Sequence, residues 1–137
     1  MSERAGDRRP PGGWEPEIGK PLPGATRAMV PEGKLSRYLL DPQGADPSKA
    51  DWLDKALGYR RQDWRLLQSV LLDGAVDAIV TRVWREAHGV QVNTCLAIIG
   101  ANEHADRTID ATVAWIYRSG GDGPSLVTLI PGRYPAD

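Results

Sequence analysis

The feature that most limits what this chain can fold into lies in its second half. From Ala75 onward valine, isoleucine and threonine dominate, and turn residues interrupt them at regular intervals. The pattern predicts four strands, at 77 to 86, 90 to 100, 107 to 118 and 125 to 130. His88-Gly89, the stretch from Gly100 to Asp106 and the stretch from Ser119 to Pro124 connect them. Parallel neighbours would need crossovers of a dozen or more residues, so connections this short predict an antiparallel meander.

Upstream the spacing changes. Leu35, Tyr38 and Leu39 stand at i, i+3 and i+4, the spacing of a short helix stopped by Asp41-Pro42; a buried strand is the alternative there. A clearer helix begins at Asp46-Pro47 or Ser48, with Ser48 to Asp51 as a capping box. It carries Trp52, Leu53, Ala56 and Leu57 as its apolar stripe and stops at Gly58. A third starts near Asp63, packs through Trp64, Leu67, Val70 and Leu71, and ends at Asp73-Gly74. Helices followed by a meander predict an α+β fold, with N-terminal helices packed on one face of a four-stranded antiparallel sheet. Residues 1 to 30, rich in proline, glycine and charge, read as an extended, flexible arm; 31 to 131 form the single domain and 132 to 137 a tail. Within the arm Trp14 stands out, either docked on the body or a partner subunit, or solvated.

With 137 residues the chain has enough apolar surface for one core. Lysine and arginine total 17 against 18 acidic residues, a net charge of -1, which excludes wrapping nucleic acid by bulk positive charge but leaves room for a local basic face. The single Cys95 forms no internal disulfide, and with two histidines and no C-x-x-C there is no zinc pattern. No metal or other cofactor is expected, since P-loop, dinucleotide-binding and nucleophile-elbow motifs are all missing. The N-terminus lacks the apolar core of a signal peptide and no run reaches the ~18 residues of a membrane span, so no membrane association and a cytoplasmic location are expected.

Several segments, in order, resemble a known family: Lys34-Leu35-x-x-Tyr38-Leu39-Leu40, Lys49-Ala50, Leu57-Gly58-Tyr59, Arg107-Thr108, Trp115, and Gly121-Asp122-x-Pro124-x-Leu126-Val127-Thr128. It is an uncharacterised bacterial family of unknown function, found free-standing and at the C-termini of polymorphic toxins, and the resemblance covers residues 31 to 131. Where relatives tend to have a glycine turn before Arg-Thr, this chain has Glu103-His104-Ala105-Asp106. The resemblance implies a nuclease, because the helix-plus-meander layout is similar to that of small metal-independent RNase toxins. RNA would then be the substrate, and a cognate immunity protein or a second copy of the chain the partner.

Metal-free RNA cleavage requires a base for the 2′-hydroxyl, an acid for the leaving oxygen, and cations or donors around phosphorus. His88, His104, Arg107, Thr108 and Arg118 are the catalytic candidates; Arg60, Arg61 and Thr128 are candidates for binding substrate. In strand 107 to 118, Ile109, Ala111, Val113, Trp115 and Tyr117 share one face, while Thr108, Asp110, Thr112, Ala114, Ile116 and Arg118 share the other. Thr108 and Arg118 are roughly 33 Å apart along the strand, so only one sheet end can be active. One end holds His104, Arg107 and Thr108; the other holds His88, Arg118 and the Gly-Asp turn. Tyr59 to Arg65 interleaves aromatic and basic residues, but Trp64 sits on an apolar stripe, and Cys95 lies inside an apolar strand as filler. A non-catalytic alternative is a small-molecule-binding or protein-interaction accessory domain, its curved sheet covered by helices and its five tryptophans lining a pocket or subunit interface.

Overall fold

The computed structural model describes residues 15–118 and 123–132. Its helical part is α1 (Glu32–Lys34), a wide π turn over Leu35–Leu39, α2 (Pro47–Leu57) and α3 (Trp64–Asp77). The strands β1 (Ile79–Glu86), β2 (Gly89–Ile99), β3 (Thr108–Arg118) and β4 (Ser125–Pro131) follow, paired antiparallel in the order β1-β2-β3-β4. This is the α+β meander expected, with helices packed on one face. β1 and β4 are the two edges, so the sheet is open and forms no closed cup.

Register decides which side chains meet the helices. Val92 faces Trp115, Thr94 faces Val113 and Ile98 faces Ile109. The even residues of β2 and the odd residues of β3 thereby share one surface, and Val92, Leu96, Ile98, Ala111, Val113 and Trp115 on it are buried with Leu35, Leu39, Leu53, Leu57, Leu67 and Leu71. The Trp115 indole N–H donates to Thr94 Oγ1 at 3.0 Å, and the Thr94 hydroxyl donates to the Val113 carbonyl at 3.0 Å. Among the described residues no buried side-chain nitrogen or oxygen is left without a partner. In β4, Leu126 and Leu129 are both buried although three apart, which strict alternation forbids. A register shift opposite Ala114 and Trp115 supplies the extra residue that turns both inward.

Three features of the helical part differ from the expectation. α3 runs through Gly74 to Asp77, because that glycine is no stop: a Cβ there would sit 2.8 Å from Leu96, so its role is to let the helix approach β2. At Leu35–Leu39 the Leu40 N–H reaches back five residues to the Leu35 carbonyl, at 2.8 Å. That extra residue puts Leu40 in the core beside Leu35 and Leu39 and leaves Tyr38 half-buried at the rim. The expected capping box at Ser48 is replaced by a bond from Ser48 Oγ to Asp46, the residue before Pro47.

Residues 15–30, expected as the end of a flexible arm, are instead bound to the sheet at two places, on either side of a short 3-10 turn at Ala25–Arg27. Gly19 donates to Val80 O, Val80 to Lys20 O and Leu22 to Ala78 O, along the β1 edge. At the other edge Met29 donates to Pro124 O and accepts from Leu126. Leu22 and Val30 are buried. Trp14, the Gly121-Asp122 turn and the tail from 133 onward lie outside the described residues.

The helical layer is pinned to the sheet at the end of α2. Gly58 takes a left-handed conformation (φ 77) that closes the helix. The Leu57 carbonyl then accepts from Ala101 at 2.7 Å, the Tyr59 hydroxyl donates to Ile99 O at 2.6 Å, and Asn102 Nδ2 donates to Gly58 O at 2.8 Å. A Cβ at Gly58 would lie 2.1 Å from the Ala101 oxygen.

Gly58 can be tested against Gly19, which has a similar positive φ of 89 but open space around it. In urea unfolding, Gly19→Ala should lose about 1–2 kcal/mol, the cost of a left-handed L-residue. Gly58→Ala adds a backbone collision and should exceed ~3 kcal/mol. Equal losses would show that the contact with Ala101 relaxes freely.

Candidate functional site

Three reactive side chains meet where the π turn, the start of α2 and the edge strand β4 converge. Lys49 Nζ is 2.6 Å from Thr128 Oγ1 and 3.2 Å from the Tyr38 hydroxyl, and Tyr38 and Thr128 are 3.1 Å apart. Local structure explains each position. Lys49 stands on the first turn of α2, Tyr38 is placed at the rim by the wide turn, and Thr128 adjoins the register shift of β4. A second ammonium, Lys34, lies 5.9 Å from the centre of the Tyr38 ring, and Lys49 lies 5.6 Å from it. Asp46 is 3.6 Å from Lys49, its carboxyl held below the ordinary value first by the Ser48 hydroxyl and also by the Lys49 charge.

The triangle changes the acidity of Tyr38. Burial pushes its hydroxyl up, but hydrogen bonds from Thr128 and Lys49 and the Lys49 charge outweigh this and leave it below the ordinary tyrosine value. Tyr59 shows the opposite balance: burial, helped by the Asp63 carboxylate, pushes it up to about 12. Tyr117, whose hydroxyl donates to Pro23 O, is also raised by burial.

The histidines and arginines singled out in the sequence are distributed differently. Gly89 pairs with Arg118, so His88 and Arg118 do share an end of the sheet; both are exposed, and neither side chain has a hydrogen bond or ion pair among the described residues. At the other end Ile99 pairs with Thr108, which is exposed; His104 is half-buried in the turn before it. Arg107 Nη1 donates to the Ala56 carbonyl at the end of α2, at 2.8 Å. Neither end brings a histidine within hydrogen-bond reach of an arginine side chain. Thr128 is the one sequence candidate inside the Lys49–Tyr38 cluster.

Arg60 and Arg61 line a separate cleft of about 460 Å³ between α2 and the start of α3, together with Asp41, Asp51, Asp54 and Tyr59. Arg60 is held by Glu103 at 2.6 Å and Asp54 at 3.2 Å, and the Glu103 contact pushes its pKa up. Arg61 donates to Ser36 O at 2.8 Å. Both guanidiniums therefore tie elements together. Trp64 packs against the core with Arg65 over its ring at 5.0 Å, and Cys95 is half-buried. Among the described residues no group of three or more His, Cys, Asp and Glu side chains could hold a metal ion, and no helix is long and apolar enough to cross a membrane.

Tyr38 and Lys49 were missed as site residues because a tyrosine at helical spacing and a lysine on a first turn are ordinary there. The available signal was positional: Lys34, Tyr38, Lys49 and Thr128 all belong to segments of the family resemblance, and folding brings the four together. In comparison with known proteins, residues 21–133 match a family described as a domain of unknown function, DUF6883. No curated protein and no solved structure matches the chain.

A spectrophotometric titration checks the cluster. Among Tyr38, Tyr59 and Tyr117, Tyr38 should ionise first and below pH 10, and Lys49→Met should move that phase upward. The stability effects have opposite signs. The contribution of Tyr59 is complete below about pH 10 and is lost as pH rises through about 12, because its folded value is raised. The lowered Tyr38 value favours the folded state only above its own ionisation. An early phase unmoved by Lys49→Met would dissolve the cluster as an electrostatic unit.

Proposed function

Since the chain belongs to the DUF6883 family, a domain of unknown function, its chemistry has to come from its own side chains; we propose that it is a metal-independent ribonuclease of the small bacterial toxin type. The observation that carries this reading is the Lys49 ammonium, within hydrogen-bond reach of both Tyr38 and Thr128. Tyr38 accepts from a cation that eases its ionisation and so suits it to take the 2′-hydroxyl proton of RNA. The 2′-oxygen then attacks phosphorus, the bond to the 5′-oxygen breaks, and a 2′,3′-cyclic phosphate forms.

In-line displacement places base and leaving group on opposite sides of phosphorus. Tyr38 and Lys49, only 3.2 Å apart, lie on one side. The cluster thus supplies the base, the Lys49 countercharge and the Thr128 hydroxyl as donor, with Lys34 adding positive potential, while the departing 5′-oxygen takes its proton from solvent. The same reading brings a cytoplasmic RNA substrate, and a cognate immunity protein or second copy of the chain as partner.

Expression under tight control, read by growth and by RNA integrity including tRNA, tests this directly. Arrest with RNA loss is expected; harmless expression with intact RNA would refute it. In purified form Tyr38→Phe and Lys49→Gln should lower cleavage by about 10²-fold or more without unfolding, and the wild-type rate should rise with pH up to the lowered Tyr38 value. Loss on His88→Ala or His104→Ala instead would move the site to a sheet end. RNA bound but never cut would favour the accessory, non-catalytic reading.

A further inference from the structure

Lys49, Trp52 and Ala56 recur at i, i+3 and i+7 of α2, a single stripe along one flank of the helix. That flank is not the one buried in the core, which carries Ala50, Leu53 and Leu57. At its start Lys49 meets Thr128 of the edge strand; at its end Arg107 reaches the Ala56 carbonyl. Between them Trp52 is only partly buried against the core. Seven helical residues separate the two ends, about 10 Å. A stacked strand of nucleic acid advances about 3.4 Å per nucleotide, so this length matches about three nucleotides.

We propose that this flank of α2 is a track for single-stranded RNA, with Lys49 at the scissile phosphate, Trp52 stacking a neighbouring base and Arg107 holding a phosphate farther along. The proposal rests on the ribonuclease reading and names its substrate as unpaired RNA. Charge supports the occupant: the cations Lys34, Lys49 and Arg107 mark the track and outnumber the Asp46 carboxylate that faces Lys49 at its start. Arg107 uses one of its five N–H donors on Ala56 and remains exposed, so a phosphate oxygen can take others without breaking that bond. A duplex fits poorly, because a base stacks on Trp52 only when splayed from its partner.

The test separates binding from cleavage. An eight-nucleotide 2′-O-methyl oligoribonucleotide, which cannot be cut by its own 2′-oxygen, is titrated against the full chain and its Arg107→Gln, Trp52→Leu and Trp52→Phe variants at several salt concentrations. Arg107→Gln should weaken binding and reduce the slope of log affinity against log salt by about 0.7, the signature of one lost phosphate contact on a single strand. Trp52→Leu should weaken it about 5- to 100-fold, with Trp52→Phe recovering much of that through its ring. Unchanged affinity and slope in Arg107→Gln, or no binding by the unaltered chain, overturns the track; should Trp52→Leu fail to fold, Arg107→Gln and Trp52→Phe still decide between the outcomes. Cleavable RNA that binds along the track but stays intact would overturn the ribonuclease reading alone; RNA that is cut equally well by all variants would overturn the track alone.

Discussion

The structure depends on the contact between the end of α2 and the connection from β2 to β3. There the Leu57 and Gly58 carbonyls, which the helix end leaves without internal partners, are taken up by Ala101 and Asn102. Tyr59 crosses underneath and gives its hydroxyl to Ile99, so burying a large ring leaves no polar atom unpaired. Gly100 is equally constrained, since a Cβ there would lie 2.2 Å from the His104 oxygen. Backbone meets backbone at this point, and side chains cannot adjust to relieve an error. The distance between helical layer and sheet is set here, and the apolar faces of α2 and α3 then close over β2 and β3.

An open sheet leaves two edges, and the chain treats both. The segment from Gly19 to Leu22 runs along β1, and Met29 pairs beside the start of β4. Both edge strands also carry a register shift, which disrupts the regular ladder another chain would need for pairing. The shift in β4 has a second consequence. By turning Leu126 and Leu129 inward together it leaves Thr128 beside the Lys49 ammonium and the Tyr38 hydroxyl. An irregularity that protects an edge thus also places a residue of the candidate site.

That site has a definite electrostatic character. Lys49 is mostly covered, with its side chain 17% exposed, yet it keeps hydrogen-bond partners on Tyr38 and Thr128 and a carboxylate nearby. The same contacts that satisfy the ammonium ease ionisation of the phenol. Among the described residues neither end of the sheet offers such coupling, because Arg60, Arg61 and Arg107 are engaged with carboxylates or carbonyls and the exposed His88 and Arg118 side chains have no partner there.

Local sequence determined the elements: the alternation in 107 to 118 defined which side of β3 faces the helices, and glycine at 58 marked the end of α2, because both depend on residues near in sequence. It took Gly74 for the end of α3, since a glycine that ends a helix and one that admits a neighbouring strand look alike until that strand is present. It also left residues 15–30 without a visible place, because extended pairing to an edge requires no apolar period. Of the candidate site, only Thr128 was legible as chemistry; Tyr38 and Lys49 were visible only as pieces of a family pattern. Their meeting spans separations of 11, 79 and 90 residues. Tertiary structure alone decided it, because the hydrogen bonds that define the cluster form only after the wide turn, the first turn of α2 and the edge strand have packed together.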